Sequence, residues 1–106
     1  MKELDKVKSV YKKSGFAGTD LINALKELRE VYKAAGDPTL TKVTRLTYEH
    51  IQANEDFNID IFEEDREGSD ETSFEYFLSL LTDSDNKFNR EEIQEYKVLL
   101  WDDLGY

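Results

Sequence analysis

The chain offers few side chains that could carry out covalent chemistry. His50 is its single histidine, and no cysteine is present. A serine–histidine–acid triad needs a nucleophile held beside the imidazole, and no serine here lies in the glycine pattern of a nucleophile elbow. We therefore expect His50 to be a surface or boundary residue, and we expect the chain not to be an enzyme.

The sequence indicates neither a phosphate-binding loop nor a thiolate metal site. Its five glycines are scattered along the chain, whereas a phosphate loop needs them clustered. Without cysteine, disulfides and thiolate-bound metals are excluded. We expect no cofactor.

One acidic segment has part of the pattern of a calcium-binding loop. Asp83 and Asp85 are spaced as the first and third ligands of an EF-hand. The fifth position is Lys87, and the sixth is Phe88, where the sharp turn requires glycine. The twelfth position is Gln94 in place of a bidentate glutamate. The segment is therefore predicted to be a turn between helices and not a metal site.

The most acidic stretch runs from residue 55 to residue 71, where nine carboxylates accompany Arg66 as the one cation. Residues 57–62 alternate between apolar and polar, which predicts a strand with Phe62 on its outward side. An exposed aromatic ring surrounded by carboxylates is typical of a binding anchor. The alternative is that a helix covers Phe62 and that the carboxylates only keep the protein soluble. The predicted contact residues are Asp60, Phe62, Glu63, Glu64, Asp65 and Glu67, with Asp102 and Asp103 as a second patch.

The two halves of the chain carry opposite charge. Residues 1–53 have a net charge of +3 and residues 54–106 a net charge of −13, which gives −10 for all 106 residues. Negative surfaces repel nucleic acid and anionic membranes and attract basic proteins, so the predicted partner is a basic protein. We interpret the one lysine cluster as a solvated helix face or as a contact with the chain's own acidic half: Lys2, Lys6, Lys8, Lys12 and Lys13.

Helical periodicity is clearest at the two ends of the chain. Apolar residues recur at helical spacing over residues 2–13 and 20–35, which predicts a helical hairpin. Capping-box spacing begins at Thr72 and again at Asn89, which predicts two further helices. Leu99 widens the apolar stripe of the last one.

The middle of the chain has the composition of strands and not of helices. Residues 40–51 are rich in Thr, Val, Leu and Tyr and favour a strand, although Val43, Leu46 and His50 also have helical spacing and leave a helix open. With residues 57–62 as the second strand, the order is α-α-β-β-α-α. The sequence thus predicts an α+β fold whose helices pack on a short antiparallel hairpin or small sheet.

These features together predict a single acidic domain spanning residues 1–106. We expect a small non-enzymatic binding or inhibitor protein of the immunity, antitoxin or DNA-mimic type, docking on a basic surface such as that of a nuclease. The alternative is a homo-oligomeric assembly module, and the sequence leaves the oligomeric state open. No apolar run reaches the ~20 residues of a membrane span and no secretory signal is visible, so we expect cytoplasmic residence.

Overall fold

The computed structural model describes residues 1–62 and 71–106. Within these ranges the chain forms five helices: α1 Lys2–Ser14, α2 Asp20–Ala34, α3 Pro38–Asn54, α4 Ser73–Thr82 and α5 Lys87–Asp103. No strand occurs in the described ranges, so the predicted α+β fold is wrong and the architecture is all-helical. None of these five helices is both long enough and apolar enough to span a membrane.

The helices pack side by side in a closed ring. α2 lies between α1 and α3, α3 also packs on α5, and α5 packs on α4, which contacts α1. Each helix turns its apolar stripe toward the centre of the ring, where the hydrophobic core lies. Side chains that solvent does not reach come from all five helices: Val7, Leu25, Leu28, Val43, Leu46, Phe77, Ile93, Tyr96 and Leu100.

The segment expected to be the first strand is helix α3. Asp37 caps it by accepting the Leu40 N–H at 3.1 Å, and Pro38 occupies the first turn, where its missing N–H has no partner to lose. Thr44 and Thr47 are buried, and each hydroxyl donates to a carbonyl oxygen one turn earlier at 2.7 Å. These internal hydrogen bonds satisfy the hydroxyl groups, so the threonines can be buried where α3 packs against α2 and α5. The packing outweighs the preference of Val and Thr for strands.

The segment expected to be the second strand, residues 57–62, forms no regular secondary structure. Its odd-numbered residues pack on the core, as the alternation predicts. Its backbone is bonded to side chains instead of a neighbouring strand. The Asn58 N–H donates to His50 Nε2 at 3.3 Å, and the Ile59 carbonyl accepts the Ser73 hydroxyl at 2.5 Å. The pattern therefore identifies the inward side of the segment correctly but not its secondary structure.

Phe57 anchors this segment to the helices. Its ring stacks on Phe77 with centroids 5.8 Å apart, meets Phe74 edge-on at 5.2 Å and lies 6.0 Å from Tyr96. Aromatic pairs of this kind contribute about 0.5–1.5 kcal/mol each beyond their buried area. The anchor places residues 60–62 beside α4 and α5.

The two capping boxes expected near the C-terminus have different outcomes. The one at Thr72 is confirmed, since its hydroxyl accepts the Glu75 N–H at 3.1 Å and the Glu75 carboxylate accepts the Thr72 N–H at 2.9 Å. The one at Asn89 is wrong, because α5 starts earlier. Its N-cap is Asn86, whose side chain accepts the N–H groups of Phe88 and Asn89.

Candidate partner-binding surface

α5 carries an acidic face that points away from the ring. At about 100° per residue, Glu91, Glu95, Val98 and Asp102 lie within about 60° of the helix circumference. All four side chains are exposed, whereas the opposite side of the helix is buried. We call these four residues, together with the neighbouring Leu99, the α5 outer face.

Two aliphatic side chains lie in water on the α5 outer face. Val98 is 55% exposed and Leu99 is 37% exposed. Phe88, at the start of the same helix, is 73% exposed. Apolar side chains bordered by charged ones are the arrangement of a protein interface, with an apolar centre and a polar rim. Isolated exposed aliphatic residues are ordinary, but these stand together beside a row of carboxylates.

The chain segment that follows Phe57 forms the second wall of a groove along this face. Asp60 and Ile61 line the groove opposite Glu95, Val98 and Leu99, and its volume is about 530 Å³. The Asp60 carboxylate accepts the N–H of residue 62 at 3.0 Å, which fixes the orientation of this wall. The groove therefore combines an apolar floor with carboxylates on both sides.

Three carboxylates of α5 have no cation beside them in the part of the chain that the structure describes. Among the described residues, no Lys or Arg nitrogen lies within 4.0 Å of the carboxylates of Glu91, Glu95 or Asp102. The negative potential of this face is therefore available to a partner.

The lysines of α1 lie on another part of the ring. α1 packs on α2 and α4, and Lys6 forms an ion pair at 2.9 Å with Glu27 of α2. Lys8 and Lys12 line a groove together with Glu75 of α4. Among the described residues, the lysine cluster forms an ion pair with Glu27 of α2 and shares a groove with Glu75 of α4, and it forms no ion pair with an acid of α5.

Two of the predicted contact residues lie on or beside the α5 outer face. Asp60 lines the groove, and Asp102 lies on the α5 outer face. Phe62 is 45% exposed, and its ring packs at 5.1 Å on Tyr76 of α4, outside the groove. Asp103 binds a buried histidine. The other predicted contact residues lie outside the described ranges: Glu63, Glu64, Asp65 and Glu67.

His50 is fully buried, so the surface or boundary position expected from the sequence is wrong. Its Nε2 accepts the Asn58 N–H, which places the ring proton on Nδ1, where it is donated to Asp103 Oδ2 at 2.7 Å. The Asn54 amide donates to the His50 carbonyl at 2.9 Å. The imidazole thus connects α3 to the end of α5 and to the segment after α3, which is a structural role.

Apolar periodicity does not single out Glu95 or Val98, and it places Leu99 in the buried stripe of α5. The sequence nevertheless contains one indication of the exposed face. Val98 is two positions from both Tyr96 and Leu100, about 200° away from each, so it cannot share their buried side. An aliphatic residue on the wrong side of an amphipathic helix, among acidic residues, would have marked this face.

The arrangement suits recognition by charge and apolar contact. In the described part of the chain, no three His, Asp or Glu side chains are grouped so as to hold a metal ion. Comparisons with protein-family models, with curated proteins and with solved structures find no match for this chain.

Proposed function

We propose that this chain is a small non-enzymatic binding or inhibitor protein whose α5 outer face docks on a basic surface of a partner protein, such as a nuclease. One observation carries the proposal. Val98 and Leu99 lie exposed beside Glu95 and Asp102, whose carboxylates have no cation within 4.0 Å among the described residues. Immunity proteins, antitoxins and DNA mimics are the functional types that such a surface suits.

The spacing of the carboxylates supports a partner that binds phosphates. Along the axis of α5, Glu91 and Glu95 are about 6 Å apart, and Asp102 lies about 10 Å beyond Glu95. Lys and Arg side chains arranged for a phosphate backbone form rows of positive charge, which a row of carboxylates can occupy. The net charge of −13 on residues 54–106 adds long-range attraction, which accelerates encounter with such a surface.

The aliphatic residues supply binding free energy that the charged residues alone do not. Exposed ion pairs contribute little net affinity, typically below about 1 kcal/mol each. Burying a Val or Leu side chain completely contributes up to about 1.5–3 kcal/mol. We therefore assign the encounter rate to the carboxylates and the lifetime of the complex to Val98 and Leu99.

The proposal is tested by capture of proteins from a cell lysate on the immobilised chain. We expect basic proteins to be retained at about 0.15 M ionic strength, where charges act over about 8 Å, and released at about 1 M, where they act over about 3 Å. The Glu95→Gln/Asp102→Asn variant should lose this retention. The matched control is Asp5→Asn/Asp20→Asn, which removes the same charge from exposed positions in α1 and α2.

Equal loss of binding in both double variants would show that net charge, and not this face, is responsible. Retention of proteins that are neither basic nor salt-sensitive would also contradict the proposal. A third contradictory result is an obligate dimer that captures no basic protein, measured by size-exclusion chromatography with light scattering. That result would assign the exposed aliphatic residues to assembly between copies.

A further inference from the structure

A second charged site lies between α2 and α3, where four cations line one groove. Helices α2 and α3 are joined by a short turn in which Gly36 adopts a φ of 72°, a conformation that glycine tolerates. The turn sets the two helices side by side, and the groove between them has a volume of about 520 Å³. Its cationic lining residues are Arg29 and Lys33 from α2 and Lys42 and Arg45 from α3.

These cations are incompletely neutralised. No carboxylate of the described residues lies within 4.0 Å of the ammonium groups of Lys33 or Lys42. Arg45 has a long contact of 3.7 Å with Glu49. The carboxylate that lines the groove is Asp37, which already accepts two hydrogen bonds from Arg90 at 3.1 and 3.2 Å.

Arg29 differs from the other three cations in having a buried donor without a partner. Its Nε has no hydrogen-bond acceptor among the described residues. Its one ion pair, at 3.2 Å, is with the neighbouring Glu30, which is largely exposed to water. Four like charges around a concave surface repel one another and concentrate positive potential there, although the whole chain carries −10. A bound anion relieves this repulsion.

Aromatic rings border the same cations. The Lys42 ammonium lies 4.0 Å from the centre of the Trp101 ring, and the Arg45 guanidinium lies 6.0 Å from that of Tyr106. The two rings stack on each other with centroids 4.8 Å apart. Guanidinium groups bind phosphate oxygens in pairs, and aromatic side chains offer a surface for a planar ring attached to the phosphate.

We propose that the α2–α3 groove binds the phosphate groups of a small molecule through Arg29, Lys33, Lys42 and Arg45. The shared chemistry is that of inorganic pyrophosphate and of nucleoside phosphates. None of these four cations belongs to α5, whose Trp101 borders the groove through Lys42.

Trp101 is the chain's single tryptophan and reports on the site directly. Inorganic pyrophosphate is titrated at constant ionic strength while Trp101 emission is followed, with calorimetry as the second readout. We expect a saturable change in emission, because phosphate draws the Lys42 ammonium away from the indole. The Arg29→Gln/Lys33→Gln variant should bind about tenfold more weakly or worse, and it leaves the reporter contact intact.

The matched control is Lys2→Gln/Lys13→Gln, which removes two positive charges from exposed positions on α1 and should bind as the unmodified chain does. Circular dichroism verifies that both variants fold.

A second titration uses a nucleoside diphosphate in place of pyrophosphate. Binding equal to that of pyrophosphate assigns the contact to phosphate alone, and tighter binding assigns the base to Trp101 and Tyr106. Absence of saturable binding, or equal weakening in both variants, would overturn the proposal, as would binding of short single-stranded DNA without binding of pyrophosphate.

Discussion

His50 is the polar side chain on which the junction of α3, α5 and the following segment depends. It is fully buried and bonded on both ring nitrogens, to Asp103 and to the Asn58 N–H. Replacing it by alanine leaves that N–H without an acceptor and opens a cavity. We expect His50→Ala to lower the free energy of unfolding by about 2–4 kcal/mol. Urea denaturation followed by circular dichroism measures this loss.

A conservative change at the partner provides the control. Asp103→Asn keeps a carbonyl oxygen that can accept the Nδ1 proton, so it should cost less than about 1.5 kcal/mol. If His50→Ala and Asp103→Asn lower the free energy of unfolding by the same small amount, the imidazole does not stabilise the junction as described.

Tyr32 is one of the tyrosines that make the stability of the protein depend on alkaline pH. Burial, together with the neighbouring Asp37 carboxylate, raises the pKa of Tyr32 from 10.0 to about 12. The folded chain therefore holds the phenol proton more tightly than the unfolded chain does. This contribution to stability is complete below pH 10 and is lost as the pH rises through about 12.

Tyr32→Phe should remove this dependence. The Tyr32 hydroxyl is buried and has no hydrogen-bond partner within residues 1–62 and 71–106, so its loss should leave stability at pH 8 unchanged or raise it by up to about 1 kcal/mol. Unfolding curves from pH 8 to 11.5 test the prediction. The unmodified chain should lose more stability than the variant over that interval. Parallel losses would show that Tyr32 does not titrate in this way.

At the scale of helices, Asp37 both caps α3 and holds α5 through Arg90. The two roles can be separated. Asp37→Asn retains a good cap and loses the ion pair, which is partly exposed and should cost below about 1 kcal/mol. Asp37→Ala loses both and should cost about 1–2 kcal/mol. Thermal unfolding of the two variants measures the difference, and equal losses would assign the whole effect to the ion pair.

The helices illustrate what the sequence does and does not predict. Helices at the positions of α1, α2, α4 and α5 follow from apolar periodicity and capping residues, which act within a few residues of each other. α3 does not follow, because its Val and Thr content favours a strand. The contacts that decide for the helix are the hydroxyl bonds of Thr44 and Thr47 and the packing on α2 and α5. Propensity is a weak predictor where tertiary packing decides.

The candidate surface, too, is predicted from the sequence only in part. Composition predicts that the acidic half binds a partner, and it includes Asp60 and Asp102 among the contacts. The position of Val98 opposite the buried stripe marks the exposed face of α5, but which segment lies beside that face depends on contacts between residues distant in sequence. Glu95, Val98 and Leu99 emerge as neighbours of Asp60 only when Phe57 packs between α4 and α5.

At the scale of the whole molecule, charge is separated across the ring. The cations of the basic groove belong to α2 and α3, and the acidic outer face belongs to α5, which packs on α3. Carboxylates without a nearby cation among the described residues repel one another and are not expected to stabilise the fold. We expect Glu95→Gln/Asp102→Asn to leave the free energy of unfolding within about 0.5 kcal/mol of the original value or to raise it.

Denaturation at about 0.01 M and at about 0.15 M ionic strength tests this expectation further. Repulsion between the carboxylates acts over about 30 Å in the first condition and about 8 Å in the second, so the unmodified chain should be more stable in the second. The double variant should show a smaller difference between the two conditions. A double variant that is markedly less stable than the original would mean that these carboxylates support the fold.

The most direct measurement is carboxyl footprinting by carbodiimide labelling and mass spectrometry, with and without a basic protein captured from lysate. Labelling of Glu91, Glu95 and Asp102 should fall several-fold in the complex, whereas labelling of Asp5 and Asp20 should not change. Undiminished labelling of the α5 carboxylates in a complex that protects other acids would place the partner elsewhere and contradict the assignment of this face.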